Sequence, residues 1–321
     1  MEEGWYGRAW SRESHLCILA YEKDSTWATN KWTEGKWRIM SAETGKTLRL
    51  SRILRPESGH AALVALDHGL HLGAVDGLVR PVELMLQLAE NGADGFLLSL
   101  GLLREYMHVT QVLGRRAPGV IARLDWSNMW RSPDELGFAE GRTRPIGTVE
   151  DALRSGADAV LIYYYMGLND ADVEAEQVMR VAQVARECER LGVPCFIEPM
   201  ARGERVGAAL YRPEYIRLHM RQAMELGADA IKTDYTGESS SFRSALAGIT
   251  RPVFIAGGPK TPEPYAVLTM VKGAMNAGAS GIFFGRNIFQ AARPERMMLA
   301  CARIIHYDVS VEEAVALVED I

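Results

Sequence analysis

The chain has 321 residues, 48% of them hydrophobic and 24% charged, with a net charge of −5. That balance belongs to a soluble globular protein, long enough for one large domain or two ordinary ones. It gives no reason to expect a nucleic-acid partner, and no apolar run reaches the ~18 residues of a membrane span.

The chain opens Met1-Glu-Glu-Gly-Trp5, without the basic-then-apolar order of a signal peptide. The four cysteines (Cys17, Cys188, Cys195 and Cys301) include no C-x-x-C pair. Sparse, scattered cysteines fit a reducing cytoplasm better than a disulfide scaffold. Residues 1–47 hold five of the seven tryptophans (Trp5, Trp10, Trp27, Trp32, Trp37) among Glu, Lys, Thr and Ser, with no clean period. They are expected to form an arm packed on the main body, residues 48–321, or on a neighbouring subunit of a homo-oligomer.

From residue 61 a regular rhythm begins. Apolar runs of strand length occupy 61–66, 95–100, 120–124, 159–165, 194–200, 230–234, 252–256 and 281–284. Segments of helical period fill 81–91, 102–116, 148–155, 171–191, 213–226, 240–247, 263–277 and 293–305. Fully apolar strands alternating with helices predict a parallel sheet covered by helices, and eight units predict a closed (β/α)₈ TIM barrel. The doubly wound open sheet is the alternative. Gly-Ala-Asp or Gly-Ala-Ser precedes strands at Gly92, Gly156, Gly227 and Gly278. Each glycine is expected to supply a left-handed helix cap.

In such a barrel the chemistry lies at the carboxyl ends of the strands. Those ends carry Asp67-His68-Gly69, Asp125-Trp126, Tyr163-Tyr164-Tyr165, Glu198, Lys232 with Asp234, Gly257-Gly258-Pro259-Lys260 and Gly285-Arg286-Asn287. Period-two alternation puts Tyr163 and Tyr165 on one face, and Lys232 and Asp234 on one face. Lys232 interrupts an apolar strand, where a lysine needs a partner or a task. A desolvated amine is a nucleophile for carbonyl carbon, so Lys232 is the candidate for Schiff-base formation. Tyr165, Asp67 and Glu198 are the candidates for moving protons, although Glu198 could equally be a structural partner of Lys232. The glycine loops after strands seven and eight suit a phosphate, with Gly257, Gly258 and Gly285 allowing close backbone approach. His68, Tyr163, Asp125, Asp234, Lys260 and Arg286 are the further candidates for holding substrate. His68 and His71 invite a metal reading, but the remaining histidines do not fall at strand ends, so no metal or cofactor is expected.

From Leu48 onward the chain resembles the archaeal-type class I fructose-bisphosphate aldolases. That group includes 2-amino-3,7-dideoxy-heptulosonate synthases and phospho-autoinducer-2 thiolases, with 2-deoxyribose-5-phosphate aldolase more distant. The motifs that carry the resemblance are Leu66-Asp-His-Gly69, Ile231-Lys-Thr-Asp-Tyr-Thr-Gly237, Ile255-Ala-Gly-Gly-Pro-Lys260 and Gly285-Arg-Asn-Ile-Phe-Gln290. The resemblance implies Lys232 as Schiff-base lysine, Tyr165 as acid-base tyrosine, Asp67 as its assistant, and a sugar-phosphate substrate with fructose 1,6-bisphosphate first. Two departures stand out. Tyr165-Met-Gly-Leu168 lacks the serine of the usual Tyr-x-Gly-Ser, and Met200-Ala-Arg-Gly203 replaces Tyr-Pro-Arg-Gly. Glu198 is instead similar to the tagatose-bisphosphate type. Transaldolase or thiolase-type transfer through the same lysine, and a non-catalytic phosphosugar-binding barrel, are the other readings.

Overall fold

The computed structural model describes residues 44–131, 133–138 and 141–319. The tryptophan-rich stretch up to residue 43, and with it the expected arm, lies outside the described residues. Eight parallel strands close into a barrel: β1 (Ala61–Ala65), β2 (Gly95–Ser99), β3 (Gly119–Arg123), β6 (Ala159–Met166), β7 (Cys195–Ala201), β8 (Ala230–Thr233), β9 (Val253–Ala256) and β10 (Gly281–Phe284). β10 pairs with β1 to complete the ring. A short antiparallel pair, β4 (Asp125–Ser127) with β5 (Thr143–Pro145), follows β3. All eight expected barrel strands are present, because residues buried on both faces leave continuous apolar runs.

Helices follow the strands and cover the barrel; their apolar faces and the outward strand residues form the main core. A second core fills the barrel itself, where Phe196, Phe254 and Phe283 meet edge-to-face or tilted, with centroids 6.0–6.3 Å apart. Leu50 and Ile53 join this inner core. They belong to helix Thr44–Leu50 and the turn after it, so that helix straddles position 48. Among the described residues, no helix is long and apolar enough to cross a membrane.

The recurrent Gly-Ala-Asp/Ser phrase has two tasks. Gly92, Gly156, Gly227 and Gly278 all have φ between 87° and 108°, the left-handed region expected of a cap. The third residue then fastens the neighbouring strand. Asp94 accepts the Ala62 N–H (2.7 Å), Asp158 that of Val120 (2.9 Å), Asp229 that of Cys195 (2.9 Å) and Ser280 that of Val253 (3.3 Å). These side chains satisfy strand donors at the amino end of the barrel.

At the opposite end β6 and β7 run longest, paired from Val160↔Cys195 to Met166↔Ala201. Parallel register therefore sets Tyr163 beside Glu198 and Tyr165 beside Met200.

Candidate active site

Lys232 lies on β8 with 6% of its surface exposed, inside a strand that is otherwise buried. Its Nζ is 2.7 Å from Glu198 Oε1 and 5.1 Å from the centre of the Phe283 ring. Glu198 is itself buried, and its Oε2 accepts from Arg123 Nη2 at 2.6 Å. Burial alone would raise the Glu198 pKa, but Lys232 and Arg123 hold it below the ordinary glutamate value. Glu198 is thus an ionised carboxylate touching the amine.

Arg123, the last residue of β3, is fully buried. It reaches Asp67 Oδ2 (2.8 Å) as well as Glu198, faces Asp125 at 3.5 Å, and lies 3.7 Å from the centre of the Tyr163 ring. Burial opposes its charge, yet Tyr163 and the three carboxylates keep its pKa above that of a free guanidinium. Burial likewise opposes the Asp67 charge, and Arg123 and then Lys232 hold that carboxyl far below its usual range. The chain Lys232–Glu198–Arg123–Asp67 is one connected charge network. It fixes the carboxylates against the amine with no water required between them.

The cavity above this network holds about 250 Å³. On one side it is walled by Trp130, Tyr163, His71 and Leu72. Tyr163 OH and His71 Nε2 are 3.2 Å apart, and His71 Nδ1 is 3.2 Å from the Ser127 carbonyl oxygen. Burial lowers the pKa of both His71 and His68, that of His68 to about 4, so both rings are neutral near pH 7. On the other side lie Gly257, Gly258, Gly285 and Arg286. Asn287 braces that loop, donating to the carbonyls of Gly257 (2.7 Å) and Pro259 (3.3 Å) and accepting from the Thr261 N–H (2.8 Å). Gly258 has φ +67° with open space where a Cβ would stand, and a Cβ at Gly285 would collide with His68 at 2.2 Å.

The structure brings Lys232, Glu198, Asp67, His68, Tyr163, Asp234, Gly257, Gly258, Gly285 and Arg286 together around this cavity. Three expected residues do not line it. Tyr165 shares the Tyr163 face, with ring centroids 5.1 Å apart, but it is fully buried in a cluster with Leu168 and Met200. Its hydroxyl has no partner of full hydrogen-bond geometry, although Ser127 still exerts a hydrogen-bonding pull on it. Burial raises its pKa well above that of a free phenol. Asp125 is sealed behind Arg123, where it accepts the Tyr163 N–H at 2.9 Å and pairs with Arg180. Lys260 is exposed and stands outside the lining.

The sequence reading passed over Arg123, Arg202 and Trp130. Arg123 carried the same signal as Lys232, a cation inside an apolar strand. Arg202 follows β7 and pairs with Asp234 at 2.8 Å, which explains the polar residue two places beyond Lys232.

A (β/α)₈ barrel with an amine, a contacting carboxylate and a glycine-lined basic end has the make-up of a Schiff-base aldolase. The chain belongs to the DeoC/LacD aldolase family, whose model matches residues 61–291. It is 32% identical to an uncharacterized aldolase of Saccharolobus solfataricus over 86% of this chain and 99% of that protein. It is 36% identical to the 2-amino-3,7-dideoxy-D-threo-hept-6-ulosonate synthase of Halobacterium salinarum, over 85% of this chain and 96% of the relative. A crystal structure of an archaeal fructose 1,6-bisphosphate aldolase matches with TM-score 0.70 and 29% identity, covering 82% of this chain and 99% of that one. Another, with its catalytic lysine bound to the substrate carbinolamine, matches at TM-score 0.70 and 29% identity, over 81% of this chain and 99% of that one.

Proposed function

We propose that the protein is an aldolase acting on a phosphorylated ketose through an imine at Lys232, with fructose 1,6-bisphosphate the first substrate to assay. The observation that carries this reading is the buried Lys232 amine in contact with the Glu198 carboxylate, at 2.7 Å, on the floor of the cavity. Lys232 must shed a proton before it attacks a ketone carbon, and Glu198 is within reach to accept it. Attack gives a carbinolamine; loss of water, with a proton returned from Glu198, gives the iminium. Removal of the proton from the hydroxyl beyond the scissile bond then lets that C–C bond break. Its electron pair moves toward the iminium to form an enamine, and an aldehyde departs. Protonation of the enamine and hydrolysis release the ketone and the free amine. Arg123 keeps Glu198 oriented throughout, with Asp67 holding Arg123 from the other side. Arg286 and the Gly257-Gly258 turn suit a phosphate.

The likeness to the Halobacterium synthase favours, as a second reading, transfer of the lysine-bound fragment to another acceptor. The test is aldol cleavage of fructose 1,6-bisphosphate by the wild type and Lys232→Met, followed by a coupled triose-phosphate assay. Wild-type turnover, lost in the variant and unaffected by chelator, supports the proposal. Undiminished turnover in Lys232→Met overturns it.

A further inference from the structure

The proposed cleavage needs a base for the hydroxyl beyond the scissile bond, and the groups nearest Lys232 are already engaged. Glu198 is held by Lys232 and Arg123, Asp67 by Arg123, and Asp234 by Arg202 at 2.8 Å. His68 packs edge-on against Phe289, with 5.0 Å between centroids, beside Gly285. On the Trp130 wall, by contrast, Tyr163 and His71 both line the cavity and are bonded to each other.

The local bonding orders this pair. His71 Nδ1 lies 3.2 Å from the Ser127 carbonyl oxygen, which can only accept, while the Ser127 N–H is farther, at 3.5 Å. The ring proton therefore sits on Nδ1, and Nε2 keeps its lone pair for the Tyr163 hydroxyl at 3.2 Å. With its own proton directed at His71, the Tyr163 oxygen can accept one from a substrate hydroxyl. Burial and Arg123 disfavour a charged His71, whereas Asp67, the Ser127 carbonyl and Asp125 favour it. The ring is thus neutral at rest, with two carboxylates to support a proton taken up in passing. Burial raises the Tyr163 pKa well above that of a free phenol, so Tyr163 hands a proton on and does not rest as phenolate.

Position suits the task. Lys232, Glu198 and Tyr163 stand on the successive strands β8, β7 and β6, and parallel register sets Tyr163 beside Glu198. A ketose bonded to Lys232 through its carbonyl carbon carries the scissile-bond hydroxyl two carbons further along. With its phosphate toward Arg286, on the β10 side, that hydroxyl falls on the β6 side.

We propose that Tyr163 and His71 form the proton relay of carbon–carbon cleavage, with Tyr163 touching the substrate hydroxyl and His71 serving as the base behind it. This rests on the imine proposed above and supplies the base for its bond-breaking step. The substrate O–H proton passes to Tyr163 as the Tyr163 proton passes to His71 Nε2. The carbon–oxygen bond becomes the aldehyde carbonyl, and the carbon–carbon pair moves to the iminium. Positive charge leaves the iminium as it appears on the imidazole, so the net charge of the site is unchanged. When the enamine carbon is protonated the iminium returns, and the imidazolium gives up its proton in balance.

The test separates two half-reactions in the intact protein. Dihydroxyacetone phosphate has no scissile bond, so borohydride trapping at Lys232, read by mass spectrometry, reports imine formation alone. Cleavage of fructose 1,6-bisphosphate, read by a coupled triose-phosphate assay, needs the relay as well. Tyr163→Phe keeps the ring beside Arg123, and His71→Asn keeps a donor for the Ser127 carbonyl. Each should trap within about twofold of the wild type, with kcat for cleavage lower by about a hundredfold or more and KM little changed. The double variant should fall no further than the slower single variant, because the two residues act in one step. Undiminished cleavage in either variant, losses that multiply in the double variant, or trapping lost together with cleavage overturns the relay and leaves the wild-type imine standing. A wild type that forms no Lys232 adduct overturns the imine and the relay together. One that forms the adduct without cleaving overturns the aldol reading and the relay.

Discussion

The two ends of the barrel use buried carboxylates in opposite ways. At the amino end Asp94, Asp158 and Asp229 each accept a strand N–H and meet a cation reaching in from outside the strands: Arg55, Arg52 and Lys46. Burial prevails there, and the pKa values of Asp158 and Asp229 are raised. At the carboxyl end Asp67 and Glu198 are buried as deeply, but their cations are internal, and both pKa values are lowered. The lesson is that burial alone does not mark a reacting carboxylate. Where the countercharge comes from does. A carboxylate tied to strand backbone and to a cation from outside the barrel strands is a fastener, whereas one ionised by an amine on a barrel strand is in a position to exchange a proton with it.

The contrast is broken most severely by Lys232→Met, which should lower turnover by about four orders of magnitude or more while the protein stays folded. A fold loss in that variant would mean that Lys232 is a structural counter-ion like Lys46. Arg123→Met comes next. Removing a buried guanidinium leaves Glu198, Asp67 and Asp125 facing one another, so thermal or denaturant melts should show a loss of about 3–5 kcal/mol. Glu198→Gln keeps the shape but not the proton acceptor, and kcat should fall by about a hundredfold. Tyr165→Phe, which alters a ring outside the cavity lining, should change kcat less than Glu198→Gln; the reverse order would return the acid-base role to Tyr165.

At the amino end Asp229→Asn should cost about 1–3 kcal/mol of stability and leave kcat unchanged. A drop in kcat there would erase the distinction between the two ends. A further effect concerns His219, on helix Pro213–Glu225. It is fully buried with neither ring nitrogen paired, and burial pushes its pKa down to about 3. An unfolded histidine takes up a proton near pH 6.5 that the folded one refuses. Stability therefore falls as pH drops from about 6.5 toward 3, by up to about 1.4 kcal/mol per unit for this group. His219→Leu should flatten that slope by one proton in melts taken across the same range.

Much of this was legible in the sequence because barrel strands are apolar on both faces and their carboxyl ends are not. Lys232, Glu198 and Asp67 stood out as polar residues at those ends. Period two also put Tyr163 and Tyr165 on one face, but it says nothing of how far along the barrel axis a side chain sits. Tyr165 lies two residues past the level of Glu198, in register with Met200 and packed against Leu168, so it is enclosed rather than presented. Asp125 was read as a substrate contact because nothing in a single sequence announces its distant partner Arg180. The β4–β5 pair escaped notice because fifteen residues, 128–142, separate strands of three residues each. Helix Thr44–Leu50 was hidden in the irregular start of the chain.

The central claim is that the Lys232 amine, and no other, bonds to the substrate carbonyl carbon. The most direct measurement is borohydride reduction in the presence of dihydroxyacetone phosphate, then digestion and peptide mapping by mass spectrometry. The account predicts one reduced adduct, on the peptide that contains Lys232, with activity lost in proportion to labelling. An adduct on Lys46, Lys260 or Lys272 instead, or inactivation without an adduct, would contradict it.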